Sequence, residues 1–185
     1  MTEPFDLNRS IFEDCPDDLG EQDFHFGLLV VGMGSMEGVE VARAFAVAGD
    51  CLLDTALKMR ETWEAAYPIL FCYRHALELY LKAVIPEDTK KTHGLSDLWA
   101  ALRPHLERRY RPEHVTWLRD RIMEFHNIDP RATAFRYHDS RPQGDPELWC
   151  DLDNLKRMVE VMFRALEHIR LASFRQRRQG EAIKS

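Results

Sequence analysis

The chain has 185 residues, a formal net charge of −6 and 45% hydrophobic residues, which suit a single domain with its own core. This composition excludes a disordered chain, and no apolar run approaches the roughly 20 residues that span a membrane. The acidic first 20 residues lack the basic and apolar regions of a signal peptide, so we expect a cytoplasmic protein.

The charge is unevenly distributed along the chain. Residues 1–70 hold 14 acidic and 4 basic side chains, whereas residues 71–185 hold 17 acidic and 21 basic ones. An acidic protein is a poor general binder of nucleic acid, but the second part can still present a local basic face. No two of the four cysteines form a CxxC pair, so we expect reduced thiols rather than a disulfide or a zinc site; they are Cys15, Cys51, Cys72 and Cys150.

In chain order, residues 1–26 are predicted to form an acidic, loosely held arm. The apolar segment at 23–32, which begins within the end of this arm, suits a short strand or extended packing. The glycine-rich GMGSMEG that follows is typical of a flexible lead into the first helix rather than of a phosphate-binding loop. That helix is predicted over about 37–63, with an apolar stripe spaced by three and four: Val41, Phe45, Ala48, Leu52, Leu53, Ala56 and Met59. Pro68 suits the first turn of a second helix that runs to about residue 85.

Three further helices are predicted over about 95–106, 112–127 and 152–176. Asp129-Pro130 stops the fourth helix, because the residue before proline avoids the helical region. An irregular segment at 129–150, with a short β-like stretch at 134–137, separates it from the last helix. The last helix carries an apolar stripe: Leu155, Met158, Val159, Met162, Phe163, Leu166 and Ile169. Short loops between five helices predict an all-α bundle over 27–176, with a charged tail at 177–185.

Arg74, Glu78 and Lys82 are spaced i, i+4, i+8, so they share one face of the second helix. That helix is apolar nearly all round and is therefore predicted to be central. A buried charge without a partner costs several kcal/mol, so these side chains must be paired. We expect a buried clasp that holds residues 129–137, with Arg136 paired to Glu78 or Asp129. The alternative is direct contact of these charged side chains with a ligand.

Arginines concentrate between the third and fourth helices. Arg108, Arg109 and Arg111 lie there, with Trp117 as a candidate ring for stacking on a base. Such a patch is typical of an RNA-binding surface. A solvated loop is the other interpretation of the same residues.

Three segments in order resemble the HEPN superfamily: YPILFCYRHALELYLKAVI, then THGLSDLW, then EFHNIDPRATAFRYHDS before a long last helix. They are most similar to an uncharacterised bacterial group with RHxxELxLK, HxL and DPxxxxFRY motifs, over roughly residues 37–172. The resemblance implies an antiparallel helical bundle, commonly a homodimer. Members include metal-independent ribonucleases of toxin and defence systems, some with an antitoxin partner, and also non-catalytic relatives.

Catalytic members carry an arginine, a polar residue after it, and a histidine after four to six intervening residues. The resemblance therefore implies Arg119, Asp120 and His126 as catalytic residues. In a helix, positions 119 and 126 differ by about 20° around the axis and about 10 Å along it, whereas Arg121 and His126 diverge by about 140°. His126 would take the proton of the RNA 2′-hydroxyl or donate one to the leaving 5′-oxygen, and Arg119 would stabilise the phosphorane, with no metal or cofactor.

Two alternatives stay open. His126 can simply end its helix, where an imidazolium suits the helix dipole. The chain can also be a non-catalytic module that binds a protein partner or a nucleotide-like ligand through Arg74, Glu78, Lys82 and Arg136.

Overall fold

A computed structural model of the chain describes residues 38–60, 62–85, 91–136 and 148–182, with side chains described as far as Ser173. These residues form five α-helices and no strand, which confirms the all-α prediction. The helices are α1 (Gly38–Met59), α2 (Thr62–Val84), α3 (Leu95–Glu107), α4 (Pro112–Ile128) and α5 (Leu152–Ala182). The predictions for residues 1–37 and for residues 137–147 of the irregular segment at 129–150, which include Tyr137, lie outside the described residues.

Helix α1 packs along α2, and small side chains on α1 let the two helices approach closely. Its buried positions recur with spacings of three, four and seven, which place them on one face of the helix: Val39, Ala42, Gly49, Leu53 and Ala56. The Tyr73 hydroxyl donates to Asp50 Oδ1 at 2.7 Å, and the Phe45 and His75 rings meet edge to face with centroids 4.4 Å apart. Later residues of α2 therefore meet earlier residues of α1, and the two helices run antiparallel.

The apolar stripe predicted for α1 is only partly correct. Leu53 and Ala56 are buried, but Leu52 is 38% exposed and Met59 is 60% exposed. The stripe that faces α2 contains alanine and glycine. A search for large apolar residues does not detect these two residue types, although they permit close packing. Leu52 and Met59 therefore lie at the flank or on the outer face of α1, whereas Leu53 is fully buried.

Helix α2 begins at Thr62, six residues before the predicted start at Pro68. Pro68 lies inside the helix, where it removes one backbone hydrogen bond without ending the element. The boundary between α1 and α2 instead lies earlier, at Arg60. Its φ of 60° is the left-handed conformation that often follows the end of a helix. The turn between α1 and α2 is therefore much shorter than the sequence suggested.

Helix α2 is central, as predicted: it packs against α1, α3 and α5, while α4 packs against α3 and α5. The predicted stripe of α5 is confirmed, since Val159, Met162, Phe163, Leu166 and Ile169 are all buried. The helix itself continues to Ala182, six residues beyond its predicted end. Among the described helices, none is long and apolar enough to cross a bilayer.

We predict that Gly49→Ala destabilises the fold. A Cβ at this position would lie 2.7 Å from Tyr73 Cδ1 and Cε1, and the fully buried ring cannot move aside. Overpacking of this kind costs about 1–3 kcal/mol, which exceeds the gain of about 1 kcal/mol in helix propensity. Urea unfolding measures the difference.

The matched control is Gly38→Ala, because a Cβ at Gly38 meets nothing within 4 Å. This variant is expected to be as stable as the wild type or slightly more so. Equal stability of both variants would contradict the close approach of α1 and α2 at Gly49.

Candidate functional site

The buried guanidinium of Arg74 joins three separate parts of the chain. Its Nη1 donates to Glu78 Oε2 at 3.0 Å, and its Nη2 donates to the backbone oxygen of His93 at 3.0 Å. Its Nε lies 3.2 Å from both the backbone oxygen and Oδ2 of Asp129. The side chain is only 2% exposed, so these contacts replace the water that the charge loses on folding.

Asp129 extends this network into the turn after α4. Its Oδ1 accepts hydrogen bonds from the backbone N–H groups of Thr133 at 2.7 Å and Ala134 at 3.0 Å. The carboxylate thereby holds a tight turn in which Ala132 has a positive φ of 59°. The described part of the segment predicted as β-like, residues 134–136, belongs to turns rather than to an extended strand.

Glu78 is the second buried carboxylate of the network. Its Oε1 accepts from Lys82 Nζ at 2.8 Å and lies 2.7 Å from Nδ1 of His93. Burial raises the pKa of this carboxyl, but the hydrogen bonds from Lys82, His93 and Arg74 outweigh burial and hold the pKa below its usual value. Glu78 is therefore ionised in the folded protein at neutral pH.

The network reaches solvent through Lys82, which is 18% exposed, and His93, which is 71% exposed. Arg74, Glu78 and Lys82 thus lie together, as their spacing predicts. Arg136 is exposed and its Nε donates to the backbone oxygen of Ala132 at 2.7 Å. The two carboxylates predicted as partners of Arg136 are both paired with Arg74 instead.

His93 lies just before α3, and both its ring and its backbone oxygen belong to the network. Its contact with Glu78 could not be read from the sequence, because nothing in the spacing of residues 78 and 93 brings them together. Within the described part of the chain, Arg74, Glu78 and Asp129 are the buried charged side chains. We call Arg74, Glu78, Lys82, His93 and Asp129 the polar cluster.

The residues predicted to be catalytic lie on α4, which ends immediately before Asp129 of the polar cluster. Arg119 is about half exposed, and its Nε and Nη2 both donate to Asp120 Oδ1, at 2.9 and 2.7 Å. His126 is half-buried, and its Nδ1 is buried without a hydrogen-bond partner in the described structure. In the described structure, no hydrogen bond at Nδ1 therefore determines which ring nitrogen of His126 carries the proton.

Arg121 faces a different part of the molecule. It lines a cavity of about 300 Å³ together with residues from the start of α5, and its Nη2 pairs with Glu124 at 2.5 Å. Its position agrees with the divergence of about 140° from His126 that helical geometry predicts. Arg121 is therefore a useful internal comparison for Arg119.

The turn between α3 and α4 exposes the predicted basic patch. Arg108, Arg109 and Arg111 all lie at the surface, and we call these three residues the basic corner. Arg111 lies 4.0 Å from Glu113, whereas neither Arg108 nor Arg109 makes an ion pair within the residues that the structure describes. Two hydrated guanidinium groups at this corner are thus available to an anion.

No group of three or more histidine, cysteine or acidic side chains in the described ranges is placed to hold a metal ion. Comparisons of the chain with known protein families, with curated proteins and with solved structures found no match.

We predict that Arg74→Ala strongly destabilises the protein. The substitution leaves Asp129 without its cation and the His93 carbonyl without its donor, and breaking a buried charge pair costs about 3–5 kcal/mol. Urea unfolding followed by circular dichroism measures this loss.

Arg103→Ala is the matched control, because Arg103 forms an exposed i,i+4 pair with Glu107 at 2.7 Å. An exposed pair contributes less than about 1 kcal/mol. Similar losses of stability in the two variants would show that the buried contacts of Arg74 are not special.

Proposed function

We propose that this chain is an HEPN-like protein that binds RNA through the basic corner. The observation that carries the proposal is the exposure of Arg108 and Arg109 with no ion pair in the described structure. Guanidinium groups bind phosphates by paired, charge-assisted hydrogen bonds. The positive balance of residues 71–185 supports the same interpretation, since it favours approach of a polyanion.

The polar cluster supports a role in folding rather than in ligand contact. Arg74 and Glu78 are both 2% exposed. Each of the three guanidinium nitrogens of Arg74 already donates to a protein acceptor. Within the polar cluster, the side chains that a ligand could reach from solvent are those of Lys82 and His93. A module that binds a nucleotide-like ligand or a protein partner without catalysis would therefore use the surface of the bundle, not its buried charges.

We predict that Arg108→Ala combined with Arg109→Ala weakens binding of a short single-stranded RNA on the order of tenfold. Each lost phosphate contact also reduces the slope of log affinity against log salt by about 0.7, so the double variant should lose about 1.4. Fluorescence anisotropy at several salt concentrations measures both quantities.

Lys58→Ala combined with Lys91→Ala is the matched control. Both lysines are exposed and distant in sequence from the basic corner, and the double variant changes the net charge by the same amount. If the two double variants weaken RNA binding equally, general charge rather than the basic corner governs the interaction.

Cleavage of the bound RNA is the second candidate function. Arg119 and His126 are placed on one face of α4 by helical periodicity, and Asp120 holds the Arg119 guanidinium through two hydrogen bonds. In this mechanism His126 removes or supplies the proton at the sugar oxygens, and Arg119 stabilises the charge that develops on phosphorus. The product would end in a 2′,3′-cyclic phosphate.

A homodimer completes this proposal. A separation of about 10 Å along the helix is long for one phosphate, and a twofold axis near α4 would bring two arginine–histidine pairs to one groove. The resemblance to toxin and defence ribonucleases further suggests an antitoxin or another protein partner.

We predict that, in EDTA, His126→Ala reduces RNA cleavage by at least about 100-fold, since general acid–base catalysis contributes roughly 10²–10⁴-fold. Arg119→Ala should reduce cleavage by about 10²–10³-fold through lost charge stabilisation. Gel analysis of cleaved RNA and of the cyclic phosphate end measures these effects.

Arg121→Ala is the matched control, because its side chain faces α5, and we expect its rate to stay close to that of the wild type. Equal cleavage by the wild type and His126→Ala, or no cleavage by either, would remove catalysis and leave RNA binding alone.

A further inference from the structure

A cavity of about 460 Å³ lies between the end of α3, the first half of α4 and the middle of α5. Its size is within the range of about 300–1,000 Å³ that is usual for small-molecule sites. An apolar cavity of roughly 150 Å³ already accommodates benzene. The volume therefore suits a ligand of two fused or linked rings.

Four flat side chains contribute to the wall of this cavity: Tyr110, His114, Trp117 and His168. Tyr110 and His168 meet edge to face, with ring centroids 6.2 Å apart and an angle of 71° between the planes. The remaining lining consists of aliphatic side chains such as Val161 and Ala165. Flat walls of this kind favour a planar ligand through ring stacking and burial of apolar surface.

Arginine side chains without an ion pair in the described structure lie next to the cavity in the chain. Tyr110 belongs to the same turn as Arg108, Arg109 and Arg111, so the cavity and the basic corner are adjacent along the chain. Arg108 and Arg109 have no acidic partner in the described residues. A ligand with rings in the cavity and a negative group toward the corner would match both features.

We propose that this cavity binds a planar aromatic anion, with its rings among Tyr110, Trp117 and His168 and its negative group toward the basic corner. The ligand can come from two sources: a free small molecule, or an unpaired base of a bound nucleic-acid strand with its phosphate. The proposal does not depend on RNA binding, because a free aromatic anion would fill the same space.

The test is a titration of the isotope-labelled full chain with naphthalene sulfonate, followed by the indole N–H signals in NMR spectra. The sequence has four tryptophans, and Trp117→Phe assigns the signal of Trp117. A saturable shift of the Trp117 signal is expected, with that of the 87% exposed Trp63 unchanged. The neutral analogue naphthol should bind more weakly, and the difference should vanish in the Arg108→Ala, Arg109→Ala protein.

Two variants should prevent binding in the cavity in different ways. Ala165→Phe fills it and should abolish the Trp117 shift, whereas Ala100→Phe, on the exposed side of α3, should leave the shift unchanged. Val161→Glu places a negative charge on the wall at a position that is 46% exposed, where substitutions usually cost little stability, and should also abolish binding, unlike Val161→Gln. It serves as the test if Ala165→Phe does not fold.

RNA binding by Ala165→Phe distinguishes the two sources. Weaker RNA binding identifies an unpaired base as the occupant, and unchanged RNA binding identifies a free small molecule. The proposal is overturned if the wild type shows no saturable Trp117 shift, or if the shift persists in both folded Ala165→Phe and Val161→Glu. Loss of RNA binding in the basic-corner variant, with the Trp117 shift caused by neutral naphthol unchanged, separates this cavity from the proposed function.

Discussion

The burial of Arg74 is the interaction on which the arrangement of the helices depends. A guanidinium group inside a helical bundle is stable only if protein acceptors replace its hydration. Glu78 supplies one acceptor from the same helix, while the His93 backbone and Asp129 supply the others from segments that begin α3 and end α4. One side chain thus fixes both ends of the α3–α4 pair relative to α2.

The charged residues discussed above form two groups with different roles, the polar cluster and the basic corner. The polar cluster is mostly inaccessible and connects helices, whereas the basic corner is exposed, and its Arg108 and Arg109 make no ion pair in the described structure. The residues of the proposed sites therefore lie along α4 and in the turn that precedes it, where Arg108 and Arg119 are exposed and Trp117 lines a cavity. A buried ion pair is weak support for a ligand site, and an exposed, unpaired arginine is better support.

Periodicity predicted the five helices and the buried stripe of α5, because large aliphatic residues there recur on one face. It failed on α1, where close packing uses Ala42 and Gly49, and it misplaced the start of α2, because one proline inside a helix does not always end it. The i, i+4, i+8 spacing correctly grouped Arg74 with Glu78, but it could not identify His93 as a contact. Two acceptors of Arg74 are backbone oxygens, which leave no trace in the residue types.

The contact between Arg74 and Asp129 spans 55 positions of sequence, and this separation has a consequence for how the chain reaches its native state. Until the last turn of α4 is in place, the Arg74 guanidinium has a lower free energy in water than in the protein interior. An isolated α1–α2 hairpin is therefore expected to leave it hydrated. The two helical pairs therefore gain their stability together, and the bundle should fold in a single cooperative step rather than hairpin by hairpin.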